Sequence, residues 1–250
     1  MQDYLLFRLY GPLASWGELA VGEVRPSAPY PSRSALLGLL AAALGITRED
    51  EAAQARLDAS VLFGVKLSAA SLPLRDYHTV QWPDAPRKFR YRTRQQEMRD
   101  KAKLNTILSR RQYHCDCLVT VAVCLTEHAS HTLAQLAAAL QEPAFALFLG
   151  RRACPPALPL DPKVASYANL KAALDSRQTD ALLDRPGIAR LDLPPALYSK
   201  TPARYYWDER ITAAGMDQQL VQTRHDQPLS RTRWQFAPRQ EHVYLAEAGQ

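Results

Sequence analysis

The sequence predicts an α+β protein, and three observations predict it. Short runs alternate apolar and polar residues with period two, and two longer runs repeat Leu and Ala with helical spacing. The runs follow one another as strand, helix, strand, strand, helix, strand, which is the ferredoxin-like order. Between two of the strands lies a stretch so rich in Arg and Lys that it reads as an inserted arm rather than core.

The elements follow in chain order. Tyr4–Tyr10 alternates around Leu5, Phe7 and Leu9, and Gly11-Pro12 is expected to end it. In SRSALLGLLAAALG, Ser32 suits an N-cap, Leu36, Leu37, Leu40 and Leu44 form a stripe, and Gly45 suits the left-handed position after a helix. Thr47 with Asp50 resembles a capping box for a second, more polar helix to about Ala59. Val61, Phe63, Val65 and Leu67 predict a strand, and Leu74–Gln81, bracketed by Pro73 and Pro83, another. The longest alternation, Tyr113–Thr126, places Cys115, Cys117, Val119, Val121 and Val123 on one face and His114, Asp116 and Thr120 on the other. Ser130 is expected to cap a helix carrying Leu133, Leu136 and Leu140, stopped by Pro143, and Phe145–Leu149 to form the last strand of the motif. Beyond Gly150 the chain is rich in proline (CPPALPLDP, LPPALY). A short helix is expected over Tyr167–Leu174, with strands over Ala203–Glu209 and His242–Ala246. The division expected is therefore a ferredoxin-like domain over residues 1–150 and a smaller β-containing subdomain over 151–250.

Composition narrows the function. The 250 residues are 47% hydrophobic and 22% charged, an ordinary balance for a folded globular protein. The net charge is +6, and its placement is uneven. Residues 86–112 hold ten basic side chains against Glu97 and Asp100, a charge of +8, so the remainder of the chain is −2. Such a segment neutralises phosphates, and Phe89 and Tyr91, interleaved with its cations, can stack on unpaired bases. A solvated edge that merely discourages aggregation is the plainer alternative. The apolar start is interrupted by Asp3 and Arg8, so no signal peptide is expected, and Ala35–Leu44 is too short to cross a bilayer. Cys115, Cys117, Cys124 and Cys154 lack paired CxxC spacing, which points to reduced thiols in a cytoplasmic protein, with no metal or cofactor expected.

Two further stretches suit anions. The start of the first helix, with Arg33 and Ser34, has unpaired backbone N–H groups that favour anions, although an ordinary capped helix is the reading that sequence physics alone favours. Gly150-Arg151-Arg152 combines a permissive backbone with two guanidinium groups. No HExxH, paired-carboxylate or nucleophile-elbow pattern occurs. Tyr77 and His78 offer residue types for acid–base RNA cleavage, but alternation along a strand places them on opposite faces.

The stretches LYGPLASWGE, RPSAPYPSRSALLGLLAAALG, RDYHTV, LSRRQYHCDCLVTVAV and FLGRRACPPALPL, with SRTRWQFAPRQ further on, resemble the CasD family of type I-E CRISPR Cascade subunits, within the repeat-associated mysterious protein superfamily. The resemblance implies an RRM-like domain with a hairpin thumb at about residues 79–112. It implies a non-catalytic subunit that caps the 5′ end of the complex and holds the 5′ handle of the CRISPR RNA. Its neighbours would be the backbone subunit CasC, the large subunit CasA and target DNA near the start of the guide. The RNA-contacting residues expected are Arg33, Ser34, Tyr77, His78, Arg87, Lys88, Arg90, Arg92, Arg94, Lys101, Lys103, Arg110, Arg111, Gly150, Arg151 and Arg152. Two other readings stay open: a metal-independent endoribonuclease acting on CRISPR repeat RNA, and a protein–protein scaffold whose arm grips an acidic partner.

Overall fold

The computed structural model describes residues 1–68, 71–84, 90–101, 104–177 and 202–247. Arg87, Lys88, Phe89, Lys103 and the LPPALY stretch lie outside the described residues. The chain runs β1 (Gln2–Ala14), β2 (Trp16–Gly17), β3 (Val24–Arg25), β4 (Ser27–Ala28), α1 (Arg33–Leu44), α2 (Glu51–Ser60), β5 (Val61–Leu67), β6 (Leu72–Pro83), α3 (Arg94–Glu97), β7 (Leu104–Leu125), α4 (Leu133–Gln141), β8 (Lys163–Tyr167), α5 (Leu170–Asp175), β9 (Arg204–Asp208), β10 (Leu220–Ser230) and β11 (Gln235–Leu245). Among the described residues, one nine-stranded sheet has the order β10-β11-β9-β5-β7-β1-β8, with β3 and β6 paired to β7 off that path. The result is a mixed α/β fold, mostly sheet.

Both faces of the sheet are covered. Leu5, Phe7, Leu9, Val119, Val121 and Val123 meet the apolar stripes of α1 and α4. The alternate residues, Tyr4, Leu6, Ala122 and Cys124, meet Leu170, Ala173 and Leu174 of α5 with Tyr205 and Trp207 of β9. Period-two alternation on β1 and β7 thus supplies two cores at once. Contact on the second face is close: a Cβ added at Gly64 would lie 2.5 Å from the Leu170 side chain.

The sequence expectations need local correction. Gly11-Pro12 does not end β1. β8 pairs only with Gln2–Leu6, so at Pro12 the outer side of β1 carries no strand and the missing N–H costs no ladder bond. Helix α1 is capped as expected: Ser32 Oγ accepts from the Ala35 N–H, and Gly45 adopts φ 75°. Helix α2 is capped by Asp50, which accepts from the Ala53 N–H, and not by Thr47. Helix α4 starts from Thr132 in a capping box with Gln135, while Ser130 is tied to Ser60. Tyr167 ends β8, and α5 begins after Asn169.

The largest correction concerns Phe145–Leu149, which is not a strand. The Ala144 and Phe145 N–H groups donate to the Ala43 and Ala42 carbonyls, so this run closes the C-terminus of α1. The strand beside β1 is β8 instead, antiparallel from Gln2↔Tyr167 to Leu6↔Lys163.

A buried ionic network fastens β9–β11 to α1. The Arg33 guanidinium donates to Asp58 Oδ1 at 2.8 Å, to the Val61 carbonyl at 3.1 Å and to Asp208 Oδ2 at 3.3 Å. The Arg33 backbone N–H donates to Asp226 Oδ2 at 2.7 Å. Asp226 and Glu241 in turn hold Arg239, at 2.7 and 2.6 Å. The Tyr30 hydroxyl donates to Glu241, and its ring stacks on Tyr206 with centroids 3.6 Å apart. Burial alone would raise the Asp208 carboxyl. Hydrogen bonds from Arg210 and the charge of Arg33 outweigh burial and hold it below the ordinary range.

Candidate nucleic-acid interface

The basic segment belongs to a hairpin. β6 and β7 pair antiparallel from Leu72↔Cys115 to Pro83↔Leu104. The inner part of β7, from Cys117 onward, lies between β1 and β5. The outer part leaves the main sheet and forms an arm with β6. Its 12 paired residues extend about 40 Å at the usual rise per residue.

The register assigns the faces, because antiparallel partners point the same way. One face carries Leu74, Asp76, His78, Val80 and Trp82 of β6 with Asn105, Ile107, Ser109, Arg111 and Tyr113 of β7. The other carries Arg75, Tyr77, Thr79 and Gln81 with Thr106, Leu108, Arg110 and Gln112. The first is apolar toward its outer end, where Val80 and Ile107 are exposed. The second presents Arg75, Arg110 and a 60% exposed Tyr77.

The arm is braced at its root by residues 15–28. β3 pairs parallel with β7, Val24 beside Arg110 and Arg25 beside Arg111. Ser15 Oγ donates to the Gln112 carbonyl at 2.9 Å, and the Ser27 N–H donates to the Gln112 side chain at 3.4 Å. Buried His114 uses both ring nitrogens, Nε2 with the Ser27 carbonyl at 3.0 Å and Nδ1 with Ser71 Oγ at 2.8 Å. Across the first face, Asp76, Arg111 and Arg25 therefore stand in a row. Two residues along, the Arg151 guanidinium lies over the Tyr113 ring at 4.7 Å, and its Nη1 is buried without a hydrogen-bond partner. Arg25, Arg75, Arg110 and Arg111 have no carboxylate within ion-pair distance among the described residues. Each face of the root thus carries two such guanidinium groups, which attract phosphates.

The expected site residues divide into groups. Arg110 and Arg111 both lie at the root but on opposite faces, with Tyr77 opposite Arg110 and His78 opposite Ser109. His78 Nδ1 lies 3.5 Å from Asp76 on the same face. Arg90, Arg92 and Lys101 are exposed toward the outer end. Arg94 pairs with Glu97 and donates to the Gln81 carbonyl, so it is committed to the arm itself. Arg87, Lys88 and Lys103 are outside the described residues. Arg152 is exposed beside Arg151.

Two expectations are overturned. Arg33 is not a surface ligand: the residue is 2% exposed and its guanidinium is held by Asp58 and Asp208. The start of α1 already has its anion, because Asp226 accepts the Arg33 N–H. Gly150 is explained by packing, since at φ 84° a Cβ would lie 1.9 Å from the Ser15 carbonyl oxygen. Ser34 and Gly150 nevertheless share one cleft of about 420 Å³, with Arg231, Trp234 and Phe236 on its other side. Composition pointed to neither Arg231 nor Arg25. The familiar SRTRWQFAPRQ run was the one sequence signal that reached Arg231 and Trp234.

Among the described residues, the tyrosine and histidines that the sequence offered for acid–base chemistry are not brought together. Tyr77 and His78 are on opposite faces. His114 shares Tyr77's face but pairs with Pro73, four residues down the ladder, and is buried. Among the described residues no group of three His, Cys, Asp or Glu side chains could hold a metal, and no helix is long and apolar enough to cross a membrane.

Comparison with known proteins gives the family. The family model for CRISPR-associated protein (Cas_Cas5) matches residues 4–241. The CRISPR system Cascade subunit CasD of Escherichia coli (strain K12) is 38% identical over 168 residues, covering 64% of this chain and 70% of that protein. A solved structure described as a CRISPR RNA-guided surveillance complex superposes with a TM-score of 0.63 at 28% identity, over 98% of this chain and 90% of the other. A second, described as the crystal structure of a Cas protein, shares the fold with a TM-score of 0.56 at 23% identity, over 98% and 95%. The chain belongs to the Cas5 family of CRISPR-associated proteins.

Proposed function

We propose that this chain is a CasD-type subunit of a CRISPR RNA-guided surveillance complex, and that it holds the 5′ handle of the CRISPR RNA without cutting it. The observation that carries the reading is the arm. It is a braced hairpin whose root carries Arg75, Arg110 and an exposed Tyr77 on one face and Arg25 and Arg111 on the other, with no carboxylate within ion-pair distance of these arginines among the described residues. Guanidinium groups on a rigid ladder track a phosphate backbone, and Tyr77 adds a stacking surface.

In the same reading, β1, β5, β7 and β8 with α1 and α4 act as a ferredoxin-like palm, and the arm as its thumb. Residues 1–150 hold the arm and most of the palm, and β9–β11 form the β-containing part that completes and stiffens it. Position at the 5′ end makes CasC, CasA and target DNA near the guide start the neighbours. The mechanism is positioning: cations neutralise phosphates, the brace fixes the angle of the arm, and the guide begins in a set register.

The test is co-purification of the assembled complex. RNA of one discrete length with a fixed 5′ end is expected with the wild-type chain, and loss of that RNA with an Arg75/Arg110/Arg111→Ala variant. Retention of the same RNA by the variant, at the same salt, sinks the arm as the main grip.

A further inference from the structure

The cleft between α1, the Gly150 loop and the β10–β11 turn is separate from the arm, and it holds a guanidinium with donors to spare. Arg231 lines it. Burial lowers the pKa of its guanidinium, against a smaller opposing effect of Asp58. Yet the Asp58 oxygens are committed to Arg33 and Gln227. The Arg231 side chain has one protein hydrogen bond, from Nη2 to the Ser34 carbonyl, and no ion pair among the described residues. Arg33 and Arg239, also withdrawn from water, each hold two carboxylates. A half-buried guanidinium with five donors and one protein acceptor, lining a cleft, is suited to an anionic ligand.

The opposite requirement, a flat apolar surface, is met by Trp234. The residue is 61% exposed and lines the same cleft. Its backbone lies at φ 58°, a left-handed conformation that a bulky side chain rarely adopts. The turn holding it is clamped. Arg48 donates to the Arg231 and Thr232 carbonyls at 2.9 and 3.3 Å and lies over the indole at 4.6 Å, and Ser230 donates to Glu51. Strain kept in place by such contacts is typical of a functional residue. The cleft, at about 420 Å³, sits at the small end of ligand sites, the size for a single nucleotide rather than a helix or duplex.

We propose that this cleft is a subsite for one unpaired ribonucleotide of the bound RNA, with Arg231 and the Ser34 hydroxyl on its phosphate and Trp234 stacked on its base. The proposal rests on the RNA-binding reading above, since it is the RNA that brings a nucleotide there. It adds base recognition to a grip that is otherwise electrostatic: the arm sets affinity, and the cleft sets which nucleotide is held.

Tryptophan emission of the full-length chain tests it. Trp16 and Trp207 are buried and Trp82 is half-buried on the arm, so Trp234 is the exposed reporter. Single-stranded RNA bearing the repeat-derived 5′ end is titrated into wild type, Trp234→Ala, Trp234→Phe, Arg231→Ala and Arg231→Lys, and an Arg75/Arg110/Arg111→Ala arm variant. Quenching is expected in wild type and its loss in Trp234→Ala. Arg231→Ala is expected to weaken binding about tenfold to a hundredfold, the range of a charge-assisted contact. Trp234→Phe and Arg231→Lys should retain part of the effect, which a misfolded chain would not. Scanning the RNA with single abasic positions should find one position where wild type falls to the level of Trp234→Ala. Unchanged binding and quenching in both alanine variants overturn the subsite and leave the arm reading intact. A wild type whose RNA binding is absent or independent of the arm overturns the reading beneath it. Variants that bind RNA normally but lose association with the other subunits mark the cleft as a protein contact and overturn the proposal.

Discussion

Two hairpins in this protein look alike on paper and behave differently. The β6–β7 arm and the β10–β11 hairpin are both antiparallel ladders of about a dozen residues set with arginines. On the arm, Arg75, Arg110 and Arg111 face outward without a carboxylate partner among the described residues. On β11, Arg239 is held between Asp226 and Glu241, and the same Asp226 accepts the first N–H of α1. The difference lies in the acids. Where a guanidinium has its carboxylates, as Arg239 does, it fastens elements together. Where arginines have none, their counter-charge has to come from outside the chain.

The comparison breaks most sharply in the network. Arg33→Ala leaves Asp208 and Asp58 without their shared cation in a buried setting, and removing one partner of a buried pair typically costs about 3–5 kcal/mol. The denaturant midpoint should fall accordingly. Arg→Ala at Arg75, Arg110 and Arg111 together should cost about 1 kcal/mol or less, because Arg75 and Arg110 are exposed and half-buried Arg111 gives up one side-chain hydrogen bond, to Ser109 Oγ. A large loss of stability from the arm variant, or none from Arg33→Ala, would remove the distinction between the two hairpins.

The RNA readout should run the other way. Each phosphate contact adds about −0.7 to the log–log salt slope for single strands, so the triple arm variant should flatten that slope by roughly two. Stability-matched variants of the network should keep the wild-type slope. An arm variant with weaker affinity but an unchanged slope would mean that the lost contacts are not to phosphates.

Acid separates the two regions as well. The Asp208 carboxyl is held below its ordinary value by Arg210 and Arg33 despite burial, and Asp175 by Lys171, Lys66 and Tyr205 despite burial. A depressed folded-state pKa contributes stability that is present above the unfolded value and is lost as pH falls through the folded one. Urea midpoints should therefore hold from neutral pH to the ordinary aspartate value of about 4 and drop below it. Asp208→Asn should start lower and lose less on acidification. A midpoint that falls equally in the variant would place the acid-sensitive groups elsewhere.

How much of this was legible depends on whether a signal is local. The α1 caps, the β5 alternation and the long β7 strand follow from adjacent residues, and the structure has them. The +8 segment was visible because charge adds along a chain, whatever the fold. Phe145–Leu149 misled because its apolar run serves the end of a helix, and β8, the true neighbour of β1, has exposed side chains that carry no pattern. Arg33 misled for a deeper reason. Its carboxylates come from α2 and β9, 25 and 175 residues away, and no window along the sequence contains them. The Arg231–Trp234 cleft was hidden likewise, since Ser34 and Trp234 meet only after β10–β11 folds back on α1.

The smallest effect expected anywhere in the molecule is that of His78→Ala. Metal-independent RNA cleavage needs a base near the 2′-hydroxyl, an acid near the leaving oxygen and a cation by the phosphate. The arm supplies the cation, but the other groups do not converge. His78 lies beside Asp76 on one face, Tyr77 is on the other, and His114 is buried with both ring nitrogens bonded. One strand cannot turn adjacent side chains toward one phosphate without a bulge, and the β6–β7 register runs unbroken from Leu72 to Pro83. His78→Ala should therefore leave the denaturant midpoint within about 0.5 kcal/mol of wild type, as an exposed substitution does. Incubation of chelator-treated protein with full repeat RNA should give no product of defined 5′ end from either form. A specific product that persists with chelator and disappears in His78→Ala would show that the arm rearranges around RNA to build a site the free chain does not contain. The contrast between the two hairpins would then be one of fastening against catalysis rather than fastening against binding.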